Sequence, residues 1–185
     1  MADTFDGKNF QKKEWKKKSN TDTMIVSRVP PQNIDAEKSV LGAMMLDKDA
    51  ILTAEDLLTP ADFYREANAI IFQAILNLSH RGEPADILTV TEELKRMGRL
   101  DDVGGVLYVN ELPANVVTTK SVDRHAEIVA GKDKLRRLID AAGTIADEAF
   151  SERQDVADIT DYAEKSILEV SRDERRSDFT PIGEE

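Results

Sequence analysis

Residues 121–150 read SVDRHAEIVAGKDKLRRLIDAAGTIADEAF. The apolar set Ile128, Leu135, Leu138, Ala142, Ile145 and Ala149 is spaced 7, 3, 4, 3 and 4. That is a heptad seam with small residues at alternate positions, which lets two helices approach closely. Polar residues Ser151 to Asp155 interrupt it, and Val156, Ile159, Ala163, Ile167 and Val170 resume an apolar stripe. The two stretches predict an antiparallel helical hairpin. Its first arm, ~30 residues at ~1.5 Å each, is about 45 Å long.

A hairpin of this length cannot bury both faces on itself. Leu135, Leu138 and Ile139 ask for more partners than the second arm offers, so the hairpin either packs on the preceding helices or pairs with another copy. Ile139, beside the seam, widens the stripe and favours self-association. The residues expected at such a pairing are Ile128, Leu135, Leu138, Ala142 and Ala149 in the first arm and Ile159, Ala163 and Ile167 in the second.

Upstream of the hairpin, folded sequence is expected after Pro30-Pro31, a stiff extended dipeptide. A helix follows with Asp35 as N-cap and Ile34, Leu41 and Met45 on one stripe, Val40 and Met44 beside it. A short segment, Ala50 to Leu58, closes at Thr59-Pro60. Asp62 then caps a helix carrying Ile70, Ile71, Ala74, Ile75 and Leu78, with Gly82 at its C′ position. A fourth helix opens at Thr89, with Glu92 completing a capping box, and runs through Val90, Leu94 and Met97 to Gly98. Gly104-Gly105 precedes a short helix of Val106, Leu107, Val109 and Leu112 that stops near Pro113. Period-two alternation is hardly sustained, so the fold reads as all-α: a tail at 1–28, a globular helical head at 29–117, the hairpin at 118–176 and a linker starting at 177–185. Thr180-Pro181, with Glu184 and Glu185 behind it, announces a further helix, and the chain is expected to be the front part of a longer protein.

The chain has 185 residues, with 25 basic and 36 acidic side chains and a net charge of −11. One domain is the expectation at this length, and 41% apolar with 33% charged residues fits a globular protein. With no cysteine, a disulfide framework, a zinc ribbon and a thiol nucleophile are all excluded. No stretch is long and apolar enough to span a membrane and no secretory h-region opens the chain, so the cytoplasm is the default location. The charge is uneven. Residues 1–28 hold seven basic groups, among them Lys12, Lys13, Lys16, Lys17 and Lys18, against Asp3, Asp6, Glu14 and Asp22, a net of +3 that leaves −14 for the rest. An acidic body is a poor nonspecific nucleic-acid binder. The basic run, with Phe10 and Trp15 among its lysines, reads as a disordered solubilising tail or a leader, and Met24 is an alternative start.

Chemistry is mostly missing. A phosphate loop needs Gly-x-x-x-x-Gly-Lys-Ser/Thr. Around Gly131-Lys132 the first glycine is Ala126, the hydroxyl residue is Asp133, and the segment is helical. Gly104-Gly105 lacks dinucleotide-loop spacing and reads as a bend. His125 has no second ligand at i+4, and His80 sits at a helix end where it complements the dipole. The pairs Glu92-Glu93, Asp101-Asp102 and Glu184-Glu185 suit solvated faces rather than acid/base work. No catalytic, cofactor-binding or metal-ligating residue is therefore assigned.

The stretch RVPPQNIDAEKSVLGAMML, residues 28–46, closely resembles the opening of the bacterial replicative DNA helicases of the DnaB family. The resemblance continues, in order and at the family's spacing, through Asp62–Tyr64, Ile71-Phe72, Gly82–Pro84, Asp86–Thr91, Gly104–Tyr108, Leu135–Ile139 and Ile167–Val170. It covers roughly residues 28–185 and leaves out residues 1–27.

The resemblance implies a helical head, a hairpin and a linker helix leading to a RecA-like motor, which would bring the ATP and magnesium this chain has no site for and most of the DNA contacts. It also implies hairpins paired between subunits, three such dimers forming the collar of a hexameric ring, and a collar that binds the C-terminal domain of primase and could meet a helicase loader. By position, the primase contacts fall on Tyr108, Ile139 and Ile145. Core or dimer packing is the competing reading of all three, since interface and core apolar residues look alike in sequence. Two packings of the hairpin pairs would give wide and constricted collars, with primase favouring the one that completes its surface. The runner-up is a stand-alone helical adaptor or helicase-loader-type protein, and a small α-helical enzyme is the third reading. The favoured reading predicts a dimer without ATPase activity and with weak or no duplex binding.

Overall fold

Asn33, not Asp35, opens the first helix, because its Oδ1 accepts from the Ala36 amide at 3.0 Å. The computed structural model describes residues 29–172; the basic run at 1–28 and the expected linker start at 177–185 lie outside the described residues. In chain order the helices are α1 Ile34–Leu46, α2 Lys48–Leu57, α3 Glu66–His80, α4 Ile87–Arg96, α5 Gly105–Ala114, α6 Val122–Ser151 and α7 Val156–Arg172, with 3-10 turns at Pro60–Asp62 and Thr119–Ser121. No strand occurs among the described residues, and the fold is all-α as expected.

Two further caps differ from the sequence reading, each for a physical reason. Asp62 does not start α3. Its carboxylate is taken up by Thr59 in a capping box on the 3-10 turn, and the extended backbone at Phe63 lets that ring reach the core against Phe72, with centroids 4.9 Å apart. For α4 the box is made by Asp86 and Thr89 rather than Thr89 and Glu92: Asp86 Oδ1 accepts from the Leu88 and Thr89 amides at 2.9 Å, and Thr89 Oγ1 accepts from the Asp86 amide. The expected C′ glycine holds. Gly82 has φ +73°, and the Glu83 and Gly82 amides close back on the Leu78 and Ser79 carbonyls, the Schellman arrangement. Gly104 and Gly105, at φ +94° and +70°, make the bend that launches α5, which runs one residue past Pro113.

α1 is the centre of the head. Val40, Leu41, Ala43 and Met44 are buried, and the helix packs against α2, α3, α5 and α6. Gly42 permits the close crossing with α5: a Cβ there would collide with the Leu112 carbonyl oxygen and Val116 Cγ2. α3 supplies Ile71, Phe72, Ala74 and Ile75 from beneath, and α4 and α5 close the layer with Val90, Leu94, Val109 and Leu112. The core does not stop at the head. Val122, Ala126 and Val129 of α6 belong to it, with Ile128 and Ala130 packed at its edge.

Candidate functional site

α6 has two different lives along its length. Its first turns sit on α1 and α2, and its remainder runs out with only α7 beside it, as an arm of the hairpin. The change happens at Arg136. Arg136 Nη1 donates to the Pro31 carbonyl at 2.9 Å, and Nη2 donates to the Asp62 carbonyl at 2.6 Å and to Asp133 Oδ1 at 3.0 Å. Its guanidinium also stands 5.7 Å from the Tyr64 ring centroid. One side chain thus ties the hairpin to both the segment that enters α1 and the turn before α3. Burial, reinforced by the nearby Asp62 carboxylate, pushes the Asp133 carboxyl above the usual range, against the pull of Arg136.

Beyond this staple the arms meet through half-buried Ala141, Ile145, Ile159 and Ala163 and buried Val170. Leu138, Ala142 and Ala149, expected on the seam, lie one position off this line and are exposed. Leu135, Leu138 and Ile139 (56% exposed) are accompanied by exposed Ile167 and Leu168 of α7. In each arm this group lies about 15–25 Å from the turn at ~1.5 Å per residue, so the five side chains fall at one height on the hairpin. Isolated exposed apolar residues are ordinary, whereas five at one height on the hairpin make a candidate interaction surface. Of the eight residues expected to join copies, Leu135, Leu138, Ala142, Ala149 and Ile167 are exposed, Ile159 and Ala163 are half-buried between the arms, and Ile128 packs on the head core.

The three positions carried over as primase contacts are not brought together. Ile139 is exposed on the hairpin, Ile145 is half-buried on the inner line, and Tyr108 belongs to the head. Tyr108 is buried, its hydroxyl donates to Asn68 Oδ1 at 2.6 Å, and its ring is flanked by the Lys38 ammonium at 5.3 Å and the Arg65 guanidinium at 4.6 Å. Burial raises its phenol above the ordinary value, with Arg65 opposing.

Sequence reasoning missed the polar network beneath Tyr108. Glu37 is 1% exposed; its carboxylate accepts from the Tyr64 and Arg65 amides at 2.8 and 3.4 Å and from Asn68 Nδ2 at 2.7 Å. The segment leading into α3 is thereby held from across the fold, by a residue of α1. The available signal was Glu37 standing on the same stripe as Val40, Leu41 and Met44, where a carboxylate must find donors. Glu93 corrects the expectation of a solvated face: its side chain is 2% exposed and pairs with Arg81 at 2.8 Å and Arg96 at 2.7 Å. Hydrogen bonds from Arg96, then Arg81, hold its carboxyl down to about 2. Glu92 is exposed and paired with Lys95.

Gly131-Lys132 lies within α6, and His80 bonds Glu55 at 2.6 Å. Among the described residues no group of three or more His, Asp or Glu side chains could hold a metal ion, and no helix is long and apolar enough to cross a membrane.

An all-helical head joined to a projecting hairpin is the architecture of a known class of helicase N-terminal domains. The family model described as the DnaB-like helicase N terminal domain matches residues 29–131. The chain belongs to this family. It is 42% identical over 159 residues to the replicative DNA helicase DnaC of Bacillus subtilis (strain 168), an alignment covering 86% of this chain and 35% of that protein. With the replicative DNA helicase DnaB of Mycobacterium leprae it shares 41% identity over 157 residues, 84% of this chain and 26% of the relative. The chain therefore spans about a third or less of the length of these relatives. Its fold matches the crystal structure of the N-terminal domain of DnaB helicase from Mycobacterium tuberculosis with a TM-score of 0.72 and 43% identity, covering 76% of this chain and 99% of that one. A DnaB-like replicative helicase studied with its primase interactions matches at a TM-score of 0.60 and 26% identity, over 77% of this chain and 32% of the other.

Proposed function

We propose that this chain is the collar segment of a hexameric replicative helicase: it pairs with a second copy through the hairpin, and three such pairs form a ring that receives the C-terminal domain of primase. The observation that carries the reading is the group Leu135, Leu138, Ile139, Ile167 and Leu168, exposed at one height on the hairpin. Burying such a group on its symmetry mate makes an isologous interface without new polar costs. Ala142 and Ala149, on the same side of α6, leave room for a close helix approach.

In this reading the head (29–117) and hairpin (118–176) form one unit, with the core of the first held by the base of the second. ATP, magnesium and the unwinding of duplex DNA belong to a motor domain of the parent protein, where a loader could also act. Ile139 lies where primase can touch it. Tyr108 and Ile145 act from beneath the surface, Tyr108 by holding α5 against Asn68. The favoured reading is tested by multi-angle light scattering of this chain with and without a primase C-terminal domain, repeated with Leu138→Asp and Ile139→Asp. The expected result is a dimer that binds primase and falls to monomer in the aspartate variants. A wild-type monomer at high protein concentration, or undiminished pairing in both variants, overturns the hairpin assignment.

A further inference from the structure

At the turn of the hairpin a second apolar surface is open, distinct from the mid-hairpin group. Phe150, in the last turn of α6, is 88% exposed and Val156, the first residue of α7, is 82% exposed. Between them the backbone turns through Glu152 in the left-handed region, at φ +51°, so both side chains are held at the tip. The surroundings select what could cover them. From residue 138 to residue 164 there are eight carboxylates, including Asp147, Glu148, Asp155 and Asp158, and one basic residue, Arg153. An apolar tip in such a field suits an occupant that brings lysines and large apolar side chains together.

The same chain carries a segment of that chemistry. Residues 8–18, KNFQKKEWKKK, carry six lysines, one glutamate, Phe10 and Trp15. Reach is not limiting. The chain enters the described structure beside Arg136, which holds the Pro31 carbonyl, and from there to the hairpin turn is about 22 Å along α6. The stretch between Lys18 and Pro31 can span up to about 43 Å at ~3.3 Å per residue. We infer that the lysine-rich segment Lys8–Lys18 docks on the hairpin turn of its own chain, laying Phe10 and Trp15 against Phe150 and Val156 while its lysines meet the flanking carboxylates. The inference stands apart from the collar reading, since it concerns the turn rather than the mid-hairpin face.

Trp15 is the only tryptophan and reports directly. The experiment compares its fluorescence in the full chain with that of a synthetic peptide of residues 8–18. The same measurement is made on Asp147→Lys/Asp158→Lys and on Phe150→Ser, all exposed positions, with circular dichroism confirming the helices. The expected result is a blue-shifted Trp15 emission that is unchanged on dilution. The shift should be lost at high salt, where the Debye length falls to about 3 Å, and in both variants. Added peptide should bind a chain starting at Met24 roughly two- to fivefold more weakly for each reversed charge. Emission identical to the free peptide, or a shift indifferent to both variants, overturns the inference. So does a shift that fades on dilution, which would place the segment on another copy.

Discussion

Arg136 Nη2 lies 2.6 Å from the Asp62 carbonyl oxygen, so a cation of the hairpin satisfies the backbone of the turn that precedes α3. The contact joins residues 74 positions apart and is repeated, through the other guanidinium nitrogen, at Pro31. Arg136→Ala should cost about 2–4 kcal/mol in chemical unfolding, because it frees two carbonyls and removes the guanidinium hydrogen-bonded to Asp133. Amide exchange should accelerate in the first turns of α6 while the tip is unaffected. Lysine, a point donor, should recover less than half of the loss.

Glu37→Gln should be more damaging than Tyr108→Phe. The amide keeps one acceptor oxygen but turns its NH2 toward a site built from donors at Tyr64, Arg65 and Asn68, at a cost of about 2–4 kcal/mol. Phenylalanine at 108 removes one hydrogen bond, to Asn68, for about 1 kcal/mol. Thermal melts of the two variants check the order.

Gly42→Ala should destabilise the head by about 1–3 kcal/mol or more, even though alanine is the better helix former. The new methyl meets the α5 backbone at Leu112, which cannot move aside as a flexible side chain would. A melting point equal to or above that of the parent chain would show that α1 and α5 are free to separate.

Much of this was legible in the sequence and some could not have been. Most of the helices follow from apolar periodicity, α2 being expected only as a short segment, and the extent of α6 agrees to within one residue because its pattern repeats over many turns. Caps fared worse. Asn33 and Asp35 stand two residues apart with equal capping chemistry, and only the path of the segment entering α1 decides between them. The start of α3 is beyond any local reading, since the Tyr64 and Arg65 amides just ahead of it are taken up by Glu37, in another helix. The outward hairpin residues were found by their spacing, yet which of them face α7 and which face away depends on a small rotation of α6 that a heptad count does not resolve.

Stability should fall on the acid side in a way traceable to Glu93. Its carboxyl is held at about 2 in the folded protein by Arg96 and Arg81, well below the unfolded value near ~4.3. Depression means that its contribution is full above the unfolded value and is lost as pH falls from there through the folded value. Urea unfolding across pH 5 to 2 should show this loss, and Glu93→Gln should flatten that part of the curve while costing about 1–3 kcal/mol at neutral pH.

The seat of α6 on the head also makes the hairpin a lever. Its fulcrum is the patch formed by Val122, Ala126 and Val129, closed by Arg136, and its free end lies about 22 Å further on. A tilt of about 10° at the fulcrum displaces the turn by about 4 Å over that length. Ala126, with no exposed surface, is thus a gauge of angle as much as a packing residue: one added methyl there would be felt as ångströms at the far end.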